Sequence, residues 1–105
     1  MNIQHMMKQA QQMQKKMQEN QANLEKKEFE GLASNGLVRV VILGTGLAKK
    51  VSIDDSLVDK EEKDLLEDLI MVAFNDARQK LNKASDESMN DATGGINLKN
   101  MKLPF

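Results

Sequence analysis

NGLVRVVILGTGLAKKVSI, residues 35–53, decides how the chain is read. Asn35-Gly36 separates two runs rich in apolar and β-branched residues, EFEGLAS before it and LVRVVIL after it. Such a pair favours the type I′ turn of a hairpin, because both central residues of that turn need positive φ. In the second run Val38, Val40 and Ile42 alternate with Leu37, Arg39, Val41 and Leu43, so the strand is apolar on nearly both faces and belongs at the centre of a sheet. Gly44-Thr45-Gly46 makes the next tight connection. Beyond it Lys49, Val51 and Ile53 share one side of a third strand, and Ala48, Lys50 and Ser52 the other. The expectation is a three-stranded antiparallel meander over residues 27–54.

Helical periodicity flanks the meander. Ile3, Met6, Ala10, Met13, Met17 and Leu24 recur at steps of three and four, with Asn20 in the missing position, which predicts a helix over 1–26 carrying a heptad seam. Methionine specifies packing poorly, so this seam suits a helix that leans on something else. Downstream, Asp59 and Glu62 have the spacing of a capping box, and a cluster of acids suits a helix start. Leu66, Leu69, Ile70, Ala73, Phe74, Ala77 and Leu81 then give a wide apolar stripe, predicting a second long helix over 59–89. Gly94-Gly95 and Pro104 mark 90–105 as a flexible tail. The fold class is α+β, with one α-β-β-β-α domain over residues 1–89.

The chain has 105 residues with no Cys, Trp or Tyr, so neither a disulfide framework nor a thiolate metal site is available. No apolar run has the length of a signal peptide or membrane span, which predicts a soluble, cytosolic protein without a membrane partner. The formal net charge is −1, but residues 54–68 hold eight acids against Lys60 and Lys63, a local balance of −6 that leaves +5 elsewhere. The compact part, 27–84, is under about 60 residues, a size marginal on its own. Together with the unpartnered seam and the doubly apolar central strand, this predicts a homodimer. Val38, Val40, Ile42, Phe74 and Asn75 are the candidate interface residues, Asn75 either bonding across the two-fold to fix its register or simply facing solvent.

Catalytic chemistry finds no set of residues to use. Gly44-Thr45-Gly46 is followed by a strand rather than a helix and lacks the further residues of a phosphate loop, so it is a turn. His5 is the only histidine and has no partner for a metal, the acids of 54–68 lack calcium-loop spacing, and no Ser-His-Asp or Cys-His set exists. The expectation is a protein that is not an enzyme, with no cofactor, metal or small-molecule substrate. Basic residues are what remains. Lys8, Lys15 and Lys16 lie in an acid-free stretch among glutamines, on a face suited to neutralising phosphates or, equally, to solvation. Arg78, Lys80 and Lys83 form a second basic group. Three Phe cannot build a base-stacking platform, so contact with a duplex backbone is the natural mode.

Several stretches in order, MKQAQQMQKKMQ (residues 7–18), GLVRVVILGTGLAKKVSID (36–54) and LLEDLIMVAFNDARQK (65–80), resemble the YbaB/EbfC family of bacterial nucleoid-associated DNA-binding proteins. AFNDA at 73–77 is the most telling, and the closing LPF fits as well. The resemblance implies a tight homodimer with protruding, tweezer-like helices, binding of double-stranded DNA, a nucleoid role, a cytoplasmic location and no cofactor. The alternative from a different class is a small dimeric adaptor that binds another protein through its methionine-lined first helix.

Overall fold

The computed structural model describes residues 2–92. Its elements run α1 (Ile3–Lys26), β1 (Glu28–Ala33), β2 (Val38–Leu43), β3 (Ala48–Ile53) and α2 (Lys63–Ala92), the α-β-β-β-α order expected. The tail predicted for 90–105 falls largely outside the described residues, and α2 runs on to Ala92 rather than stopping at Met89. The sheet is antiparallel in the order β1-β2-β3, with β2 central.

Both hairpins form, each with a departure in detail. Ala33 pairs with Val38, so the first loop has four residues rather than two. Ser34, Asn35 and Gly36 all have positive φ, at 52°, 57° and 87°. Gly36 N donates to Ala33 O, and Leu37 N donates to Ser34 O, making two overlapping turns with Asn35-Gly36 central to the second. In the second hairpin the register shifts between Val41 and Ile42, whose partners are Lys50 and Ala48. Lys49 therefore leaves the alternation, and its ammonium reaches Glu28 on the outer face instead of joining Val51 on the inner one.

The inner face of the sheet supplies the core. Val38, Val40 and Ile42 of β2 are completely buried with Ala33, Leu24, Ala73, Ala77 and Leu81. Val38, Val40 and Ile42, expected at an interface, thus belong to the interior of the single subunit, covered by its own helix. Their outward neighbours Arg39, Val41 and Leu43 lie on the opposite face, where Arg39 pairs with Glu30 at 3.6 Å. Phe74, expected within the apolar stripe, is 37% exposed, because the residues that meet the sheet are the alanines on either side of it.

Two glycines set how closely the helices approach. A β-carbon on Gly31 would lie 1.8 Å from the Ala73 carbonyl oxygen and 2.4 Å from Ala77 N, so α2 rests directly on the β1 backbone. A β-carbon on Gly44 would lie 1.8 Å from the Leu24 carbonyl oxygen, so the β2–β3 turn abuts the end of α1. Asn2 caps α1, its Oδ1 accepting from Gln4 N at 3.0 Å and His5 N at 3.3 Å. At the start of α2 Asp59 also caps, accepting from Glu61 N at 3.0 Å, but the first turn, Lys60–Glu62, is a 3-10 helix and regular α-helix begins at Lys63.

Gly31→Ala therefore overpacks the contact against main-chain atoms that cannot yield. It should lower unfolding stability by about 3 kcal/mol, at the upper end for added methyl groups in a packed core, seen as a reduced urea midpoint. Leu81→Ala, which leaves a hole in the buried core that Leu81 shares with Leu24, should cost about 2–5 kcal/mol.

Candidate nucleic-acid interface

Past the sheet the chain becomes an arm of two antiparallel helices. Leu24 and Leu81 share the core, and further out Asn20 Nδ2 donates to the Ser88 carbonyl at 3.2 Å, so α1 recedes as α2 advances. The molecule is accordingly long, 70 × 31 × 17 Å. Ile3, Met6 and Met13 are exposed, and so is much of Met17, which leaves the seam of α1 largely open. A groove of about 530 Å³ runs between Gln14–Glu25 of α1 and Ser85–Met89 of α2, mixing Met17 and Met89 with amides and hydroxyls. Among the described residues no group of three or more His, Cys, Asp or Glu side chains is placed to hold a metal ion. His5 Nε2 lies 3.2 Å from Gln9 Nε2, one turn on.

The charged side of the arm is opposite its methionines. At about 100° per residue, Lys8 and Lys15 lie within about 20° of each other, and both fall across the helix from the line through Met6, Met13 and Met17. Neither forms an ion pair or hydrogen bond among the described residues. Lys26 returns to the azimuth of Lys8 after five turns and is exposed as well. Lys26 lies beyond the acid-free stretch, which Glu19 closes, but its spacings of 18 and 11 residues from Lys8 and Lys15 place it on their face. Lys8 to Lys26 spans about 27 Å at 1.5 Å per residue. That length covers roughly eight steps of duplex DNA at 3.4 Å each. Lys16 already engages a group within the chain.

The second basic group is dispersed. The Arg78 guanidinium lies over the β2–β3 turn, its Nη1 2.9 Å from where a β-carbon on Gly46 would stand. Lys80 turns to the opposite flank, donating to the Glu30 carbonyl at 2.7 Å and standing 3.3 Å from Asp76 Oδ2. Lys83 is exposed and lines a shallow depression with Asp86 and Glu87, which offset its charge. The structure therefore does not gather Arg78, Lys80 and Lys83 into one surface with Lys8, Lys15 and Lys16. Asn75 is exposed on α2, away from the sheet.

Comparison with known proteins agrees with this architecture. A family model described as the YbaB/EbfC DNA-binding family matches residues 1–96. A nucleoid-associated protein of Rickettsia akari is 49% identical over 105 residues, covering 99% of this chain and 98% of the relative. One from Rickettsia bellii is 50% identical over the same coverage. The fold is shared with a crystal structure of an uncharacterized protein from Helicobacter pylori, at a TM-score of 0.68 and 22% identity over 90% of this chain and 96% of that one. These matches define the class, a small α-β-β-β-α protein of the nucleoid-associated type. The chain belongs to the YbaB/EbfC DNA-binding family.

Asp76 gives this region a pH signature. The Leu32 N–H it accepts, and then Lys80, hold its carboxyl below the ordinary carboxylate range. A carboxylate depressed in the folded state adds stability that is present above its unfolded pKa and lost as pH falls through the folded one. The stability difference between wild type and Asp76→Asn should therefore be full near neutrality and shrink from about pH 5 downward, as followed by urea denaturation at stepped pH.

Proposed function

We propose that the protein binds double-stranded DNA as a homodimer, chiefly through phosphate contacts, and acts as an architectural or regulatory component of the nucleoid. The observation that carries this reading is the exposed face of α1 that bears Lys8 and Lys15 on the projecting arm and Lys26 at its base, a face on which Glu19 is the one acid and the balance is +2. Ammonium groups without partners inside the protein release condensed counterions when they meet phosphate. A net charge of −1 keeps the affinity of one copy modest, and a two-fold axis doubles the basic line. Membership of a DNA-binding family and the names of the Rickettsia relatives support the same partner.

Open apolar surface supports the second copy. α2 packs on β1 and β2, so Val51, on the inner face of β3, stays 49% exposed. Met71 and Phe74 are exposed on the flank of α2 that carries Arg78. Phe74 and Asn75 are thus available to a partner subunit. A second reading, a dimeric adaptor that uses no DNA, draws on the exposed methionine seam of α1.

Salt separates the two. On random duplex DNA, log K should fall with log salt at a slope of about −0.9 for each phosphate neutralised. Lys8→Gln with Lys15→Gln should make that slope shallower by about 1.8 per subunit. Absence of duplex binding at low salt would remove the leading reading in favour of the adaptor. Light scattering should return twice the 11.8 kDa chain mass at micromolar concentration.

A further inference from the structure

β1 is an edge strand, since the sheet order is β1-β2-β3. The free side of such a strand offers unpaired N–H and C=O groups, a template on which another strand can add. Glu30 and Leu32, two residues apart, present theirs to the same side. In this structure α2 occupies two of them, the Leu32 N–H and the Glu30 carbonyl. Leu32 N donates to Asp76 Oδ2 at 3.0 Å, and Lys80 Nζ donates to the Glu30 carbonyl at 2.7 Å. Asp76 and Lys80 stand one helical turn apart and are themselves paired at 3.3 Å. They reach over the strand because Gly31, the residue between Glu30 and Leu32, lets the backbone of Ala73 and Ala77 settle onto β1.

We propose that Asp76 and Lys80 form an edge guard, filling the hydrogen-bonding positions through which a strand of another copy would extend the sheet at β1. The pair thereby confines assembly to other surfaces of the molecule. Ladder bonds to the backbone are sequence-independent, so an unguarded β1 would accept the same strand of an identical chain. The lowered pKa of Asp76 is consistent with a carboxylate that accepts a main-chain N–H in the folded protein. The guard also assigns a role to Asp76 within the AFNDA stretch that needs neither DNA nor a dimer contact.

The test removes the guard and then closes the edge by another route. The double variant Asp76→Ala with Lys80→Ala should show a concentration-dependent rise in light-scattering mass, about twofold over the wild-type value as copies pair. Adding Leu32→Pro should return the mass to the wild-type value, because proline has no N–H to offer a new strand and is tolerated at an outward-facing edge position. Leu81→Ala, which weakens the fold without touching the edge, should keep the wild-type mass. If the double variant does not fold, Asp76→Ala and Lys80→Met singly expose one group each and are read the same way. A guard-deficient, folded variant that keeps the wild-type mass at every concentration overturns the proposal. So does a rise that Leu32→Pro fails to reverse, or one that Leu81→Ala reproduces. The reference in each arm is the wild-type mass, so the outcome stands apart from dimerisation and DNA binding.

Discussion

At Gly31 the first strand has no side chain, and the second long helix settles into the space. The Ala73 carbonyl and Ala77 amide come so near that a single methyl group on Gly31 would collide with both. Much else follows from this contact. The helix meets the sheet through alanines, so the core is thin and is completed by Val38, Val40 and Ile42 from below and by Leu24 and Leu81 at the base of the arm. The helix axis is held over β1 and β2, which brings Asp76 and Lys80 to the strand edge and leaves the inner face of β3 uncovered. Overlying the strand so closely, α2 also sets the line along which its distal half meets α1, as the Asn20–Ser88 bond shows.

Charge is organised by the same framework. On the sheet and its flank Arg39 is engaged by Glu30, Lys49 by Glu28 and Lys80 by Asp76 and the Glu30 carbonyl, whereas Lys50 and Arg78 form no such pair among the described residues. Exposed pairs of this kind contribute little stability each. Their effect here is to silence positive charge near the sheet. Lys8 and Lys15 lie on the outer arm, likewise without such partners, along one side of a long, thin molecule.

The meander was legible because alternation at period two is a strong signal, and β2 stands at the centre as its doubly apolar pattern indicated. The same pattern misled about what covers it, since Val38, Val40 and Ile42 are buried by α2 of their own subunit, a tertiary contact that periodicity does not name. Spacing puts Phe74 in the same apolar stripe as Ala73 and Ala77 and does not say which of them meets the sheet, whereas close seating at Gly31 places the alanines at the contact and leaves the ring half-exposed. The displaced Lys49 follows from a register shift that leaves no clear mark in AKKVSI. At the candidate interface, the basic face of α1 was legible from spacing, but its extension to Lys26 was not followed. The fate of Arg78, Lys80 and Lys83 depended on which flank of α2 each occupies relative to the strand edge, and so appeared only with the packing.

In the proposed mode of binding the α1 arm, rather than the sheet, meets DNA. Measuring the chemical modification of each lysine with and without duplex DNA tests it most directly, since every ammonium reports separately. Protection should be concentrated at Lys8, Lys15 and Lys26, with Lys49, Lys60 and Lys80 reacting as they do in the free protein. Protection centred on the sheet lysines, or no change at Lys8 and Lys15 under conditions where DNA is bound, would contradict it.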